Sequence, residues 1–224
     1  THVEIVDCIQ YYKGLKQIHF ATDTEKTKAE LKEPLVLIVE SEIPNIRKIQ
    51  SILEYVIKKN KPLLIIADCE QQVYSALAMN KMKGNIKVNI IDSPTFGYTR
   101  KEVLNDLALL TGATLINEDL GDDMDLIQPE HLGSCIKAVS TQDETIITVD
   151  EPSEEVKELV KVIEEKLLET KLSGYKVQYE KRLARLSAKV AIVKIGANSE
   201  VELKEKKDRV EDAICATKAA IKEG

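Results

Sequence analysis

Glycine is scarce in this chain: nine in 224 residues, scattered singly. A phosphate cradle needs glycines whose backbone amides converge on an anion. Neither G-x-x-x-x-G-K-[ST] nor G-x-G-x-x-G occurs, so no nucleotide site is complete within these residues. A G-x-S-x-G elbow for a serine nucleophile is also missing. The four cysteines, Cys8, Cys69, Cys135 and Cys215, are far apart and form no C-x-x-C pair. That pattern predicts buried free thiols in a reducing compartment. His2, His19 and His131 lack ligand spacing, so no metal site is expected. Apolar runs such as "PLVLIV" and "PLLIIA" are too short to span a bilayer. The net charge is −6 and no basic stripe with interleaved aromatics appears, which argues against nucleic acid as a partner. The chain opens at Thr1 without a signal peptide and stops just after a helical pattern, so it reads as an excised piece of a longer protein.

What remains is a composition able to pack a core, 43% hydrophobic and 31% charged. Its middle alternates. "PLVLIV" (34–39), "PLLIIA" (62–67), "IKVNIID" (86–92) and "ATLIN" (113–117) are continuous apolar runs of strand length. Between them, Ile46, Ile49, Leu53, Val56 and Ile57 recur at helical steps, as do residues 70–83 and 99–112. Apolar strands alternating with helices predict an α/β fold with a mostly parallel sheet covered on both faces. "IKAVST" and "TIITVD" predict a hairpin or edge pair. A charged helix over 152–170 follows, with Val156, Leu159, Val160, Ile163 and Leu167 as its stripe; "SGY" breaks it. A helix over 176–187, the strand "KVAIVKIG" and a last helix complete the chain.

Three stretches carry possible chemistry. "EDLGDDMD" (118–125) packs five acids together, but without EF-hand spacing it reads as an acidic loop. The 70–83 helix has two apolar faces, Val73, Ala76 and Leu77 on one, Tyr74, Ala78 and Met82 on the other. A helix covering a sheet needs one; the surplus is either buried by a second layer or an exposed groove for a partner. In "VELKEKKDRVEDAICATKAA" (201–220), Val210, Ala213, Ile214 and then Ile221 form a stripe, with Asp208 and Asp212 opposite. Asp212 reads there as part of a solvated face.

"KPLLIIADCE", "SPTFGYTRKEVLNDLALLTGATLI" and "LARLSAKVAIVKIGANSEVELKEKKDRVEDAICATKAA" resemble the group I chaperonins, the family of bacterial GroEL, over nearly the whole chain. The resemblance implies an apical domain over 9–188, flanked by intermediate-domain segments 1–8 and 189–224, with the equatorial ATP-binding domain absent. It implies a chaperone module that binds non-native polypeptides and a GroES-type co-chaperonin through an apolar groove. The full-length family member is an ATP-driven, homo-oligomeric double ring. This piece is expected to be a monomer without ATPase activity or cofactor, ATP and Mg belonging to the full-length protein. The family's groove residues fall on Leu15, His19, Phe20, Gln50, Leu53, Tyr74, Ala78 and Met79. Its aspartate for ATP hydrolysis falls on Asp212, and its interdomain charged pair on Lys13 and Glu200.

There are departures. Gln50 replaces an apolar groove residue, and "GLKQIHF" adds Lys16 and His19, which implies a more polar, choosier groove. Two hinge glycines fall on Cys8 and Lys189, which resist glycine's backbone angles. The alternative reading is a chaperonin-like paralogue serving as an interaction subunit with weakened client binding. The expected setting is soluble and intracellular, in an organelle matrix or the bacterial cytoplasm.

Overall fold

Four short apolar strands paired in parallel form the centre of the computed structural model, which describes residues 2–11, 13–23, 25, 27–93, 98–149, 153–170, 173–187 and 189–223. The chain divides into a larger unit, Asp7–Lys189, and a smaller one made of both termini, up to Val6 and from Val190 onward.

The strands, in chain order, are β1 (His2–Tyr11), β2 (Ala29–Lys32), β3 (Leu35–Val39), β4 (Leu63–Ile66) and β5 (Val88–Ile91). They continue with β6 (Leu115–Ile116), β7 (Gly133–Ser134), β8 (Lys137–Ser140), β9 (Thr145–Thr148) and β10 (Lys189–Lys194). The helices are α1 (Gln50–Lys59), α2 (Gln71–Met82), α3 (Tyr98–Thr111), α4 (Glu154–Glu169), α5 (Ser173–Leu186) and α6 (Glu200–Glu223).

In the larger unit the parallel sheet runs β5-β4-β3-β6, with β7 antiparallel on β3. β4 and β5 are buried at every position, which is why their sequences, Asn89 apart, run apolar without alternation. Alternate residues still divide by face. Leu37, Val39, Leu63, Ile65, Val88 and Ile90 pack with α1 and α2. Val36, Ile38, Leu64, Ile66 and Ile91 pack with Val103, Leu104 and Leu107 of α3, and with Ile9, Ala138 and Ile147 of the second sheet. Burying one such side chain contributes about 1.5–3 kcal/mol.

That second sheet is antiparallel. The later half of β1 pairs with β9, β9 with β8, and β8 with β2. The expected hairpin is present, with Thr141 N donating to Glu144 O at 2.8 Å across its turn. It is the middle of this sheet, not an edge pair of the parallel one. Asn89 of β5 crosses the gap: its Nδ2 donates to Ser140 Oγ at 2.8 Å. Thr145 Oγ1 hydrogen-bonds Ser140 Oγ at 2.8 Å and donates to the Lys13 carbonyl at 2.8 Å.

The helix α4 begins at Ser153, whose hydroxyl accepts from Val156 N, and buries Val156 and Ile163 of the expected stripe. α5 begins at Ser173, so "SGY" opens a helix, earlier than expected from its role as a breaker. α5 docks on α3 through charge. Arg182 grips the fully buried Asp106 with Nε at 3.1 Å and Nη2 at 2.7 Å, and Arg185 adds a contact at 3.1 Å. Burial raises the Asp106 pKa while the two guanidiniums oppose that rise.

In the smaller unit β10 lies beside β1, and α6 follows. Ser199 and Glu202 cap α6: Glu202 N donates to Ser199 Oγ at 3.3 Å, and Asn198 N to Glu202 Oε2 at 3.0 Å. The pairs Glu202–Lys206 and Glu205–Arg209 support its surface at i,i+4 spacing. No described helix is long and apolar enough to cross a membrane.

Candidate functional site

The helix α2 has more apolar surface than the sheet needs. Val73 and Leu77 face the core, and so do Tyr74 and Ala78. A strap, residues 14–20, covers this second side. It leaves the second sheet at Gly14, where a Cβ would lie 2.3 Å from the Thr141 and Gln142 carbonyl oxygens. Only glycine fits that approach. Leu15 N then donates to Thr141 O at 2.8 Å. The strap ends in a 3-10 turn, Ile18–Phe20, packed against α2.

Between strap and helix runs an open groove of about 500 Å³, lined by Gln17, Ile18, His19, Gln71, Ser75, Ala78, Met79 and Met82. Ile18, Met79 and Met82 are exposed by 55%, 53% and 65%. Large apolar side chains gathered at one concave place favour contact with apolar surface, and methionine adapts its shape to it. Gln17, His19, Gln71 and Ser75 add polar groups to the lining, which leaves hydrogen-bonding capacity for a backbone or polar side chain.

The expected site residues part company here. His19, Ala78 and Met79 line the groove, though Ala78 is itself nearly buried. Phe20 is wholly buried in the core, with Leu53 of α1. The largest apolar residue of the strap is what anchors it. Tyr74 is buried, donating its hydroxyl to Asp92 Oδ1 at 2.6 Å; burial and this carboxylate raise its pKa. Leu15 is half-buried against the same core. Gln50 is exposed and donates to Glu54 Oε1 at 2.8 Å along α1. Gln17, Ile18, Gln71 and Ser75 were not anticipated. Ile18 lies inside "GLKQIHF", but which strap side chain faces α2 depends on a 3-10 turn whose residues point about 120° apart.

Elsewhere the expected chemistry is quieter. The acids of 118–125 serve their own backbone: Asp122 Oδ2 accepts from Asn117 N at 2.9 Å and Asp123 Oδ1 from Asp125 N at 2.9 Å. Lys48 pairs with Asp125 at 2.7 Å and approaches Glu118. Among the described residues no group of three or more His, Cys, Asp or Glu is placed to hold a metal. Cys8, Cys69 and Cys135 are buried and form no disulfide, and burial pushes Cys69 and Cys135 up to about 12. Cys215 forms none either and is exposed. Asp212 is an exposed side chain of α6. One carboxylate is no nucleotide site, and no step through ATP or Mg follows from these residues. Lys13 is exposed in the larger unit, and Glu200 opens α6 in the smaller one. Cys8 sits buried in β1 opposite Thr148, and Lys189 starts β10.

Comparison with known proteins agrees with this architecture. A family model described as the TCP-1/cpn60 chaperonin family matches residues 18–224. Chaperonin 60 subunit beta 3, chloroplastic, of Arabidopsis thaliana is 44% identical over 98% of the chain and 37% of its own length. Chaperonin CPN60-2, mitochondrial, of Zea mays is 38% identical over 100% of the chain and 39% of its own length. The chain thus spans under two fifths of these relatives, and it belongs to the TCP-1/cpn60 chaperonins, on the group I side.

Proposed function

We propose that this chain is the polypeptide-binding part of a chaperonin 60 subunit, and that it holds non-native chains in the groove between α2 and the strap. The observation that carries this is the exposure of Ile18, Met79 and Met82 together on one concave surface. Non-native chains expose what native ones bury, so such a groove captures them without reading sequence. The same surface would receive a GroES-type co-chaperonin in competition with clients. In the full-length subunit, within a homo-oligomeric double ring, Asp212 would act on ATP. An organelle matrix suits the chloroplast and mitochondrial relatives.

The test is suppression of aggregation of a chemically denatured protein by the parent chain and by Met79→Glu/Met82→Glu. Both positions are exposed, so the variant should fold like the parent. Suppression by the parent and its loss in the variant support the reading. Equal suppression by both places binding elsewhere and overturns it. The second reading, an interaction subunit with weakened client binding, draws support from Gln17, His19, Gln71 and Ser75 in the lining. It predicts little suppression by the parent at any concentration.

A further inference from the structure

Lys16 reads in the sequence as a polar intruder in an apolar groove. Its side chain turns the other way. Its ammonium pairs with the carboxylate of Asp92 and lies 5.7 Å from the centre of the Tyr74 ring. Asp92, just past β5, also accepts the Tyr74 hydroxyl, and its carbonyl accepts the Tyr11 hydroxyl at 2.8 Å. The attachment point is therefore held by β1, α2 and the sheet at once.

The far end of the strap has a second lysine. Lys81 of α2 donates its Nζ to the Phe20 carbonyl and sits 5.8 Å from the centre of the Phe20 ring. Burial holds this ammonium down to about 8. Its described partners thus belong to the strap. Among the described residues, 16–20 are tied to other elements by two hydrogen bonds, and both come from these lysines. Gln17, Ile18 and His19, the strap's contribution to the groove, lie between them.

We infer that the strap is a latched wall: Lys16 on Asp92 and Lys81 on the Phe20 carbonyl hold it against α2 and set the width of the groove. The buried Phe20 ring anchors the strap in the core, while the lysines decide how closely its middle lies to Met79 and Met82. They are positioning residues. Their role in client capture rests on the reading of the groove as a polypeptide site.

The test is hydrogen exchange on the 224-residue chain. The amides of Phe20 and Ala21 donate to Gln17 O and Ile18 O inside the strap's own turn, at 3.0 and 3.2 Å. In Lys16→Met/Lys81→Met their exchange should rise about tenfold, the scale expected when two modest polar interactions are broken together. The amide of Leu63, bonded to Lys87 O at 2.8 Å in the sheet, should not change. Lys16→Arg/Lys81→Arg should keep the protection, since arginine restores charge and donors where methionine restores only bulk. Unchanged exchange at Phe20 and Ala21 in the methionine variant overturns the latch. So do arginine variants as loose as the methionine ones. Release of a bound denatured protein should be several-fold faster from the methionine variant. Faster exchange with unaltered release overturns the claim that the latches set the groove. A parent that captures no client defeats the polypeptide reading, while the exchange result still decides the latch.

Discussion

Helices α2 and α6 both carry apolar residues at helical spacing, and they end in opposite circumstances. Val73, Tyr74, Leu77 and Ala78 of α2 are buried between sheet and strap. Val210, Ala213 and Ile214 of α6, with Arg209 and Thr217, form a shallow surface of about 360 Å³, and the described residues leave Ala213, Ile214 and Ile221 exposed. The difference teaches what a stripe does and does not say. Period 3.6 establishes that one face differs from the other. What covers that face is decided by elements far away in sequence. α2 is held by packing, whereas α6 is held by its cap and its i,i+4 ion pairs.

Mutations should separate these two modes. The largest effect is expected from Leu77→Ala, which removes a buried α2 side chain and should cost ~2–5 kcal/mol in urea unfolding. A cost as small as that of an exposed position would break the contrast. Next comes Tyr74→Phe. It keeps the ring but leaves Asp92 without its 2.6 Å hydroxyl donor, a loss of about 1.5–3 kcal/mol readable in the same assay.

A smaller effect concerns pH. The folded pKa of Lys81 is depressed from the ordinary lysine value to about 8. Between these values the unfolded chain binds the extra proton, so this group's contribution to stability rises with pH. Its burial penalty is full below about pH 8 and is relieved towards the ordinary value. Parent minus Lys81→Met should therefore shift in the parent's favour between pH 7.5 and 9.5. Because the amine is partly solvated the shift should stay below about 1 kcal/mol; no shift, or one of opposite sign, means the ammonium is not desolvated. The smallest effect is expected from Ile214→Ala on α6, within about 0.5 kcal/mol of the parent. A cost of core size there would show a covering partner for α6.

The core of the larger unit was legible because its strands are buried on both faces. β3 to β6 and α1 to α3 follow the alternation of apolar runs and helical stripes. β2 and β7 were not, because "AELK" and "GS" contain no apolar run. "AELK" makes sense as a strand only beside β8. The groove was half legible. Ala78 and Met82 belong to the surplus face of α2, and His19 and Met79 came with the family resemblance. Phe20, placed in the groove by the resemblance, and Tyr74, placed there also by the surplus face, are both buried, since large apolar side chains are driven into the core. Lys16 misled in the opposite sense, since its charge says nothing about which neighbour it will meet.

The bond between Asn89 and Ser140 has one more consequence. An amide enclosed by hydrocarbon is costly unless its partner is in reach. With only aliphatic contacts, the two sheets would slide over one another with little change in energy. With Asn89 and Ser140 between them, one alignment gives the amide Nδ2 its acceptor and the neighbouring alignments do not. Leucine at position 89 is expected to trade that uniqueness for strength: a tighter sandwich, with its layers free to settle in more than one place.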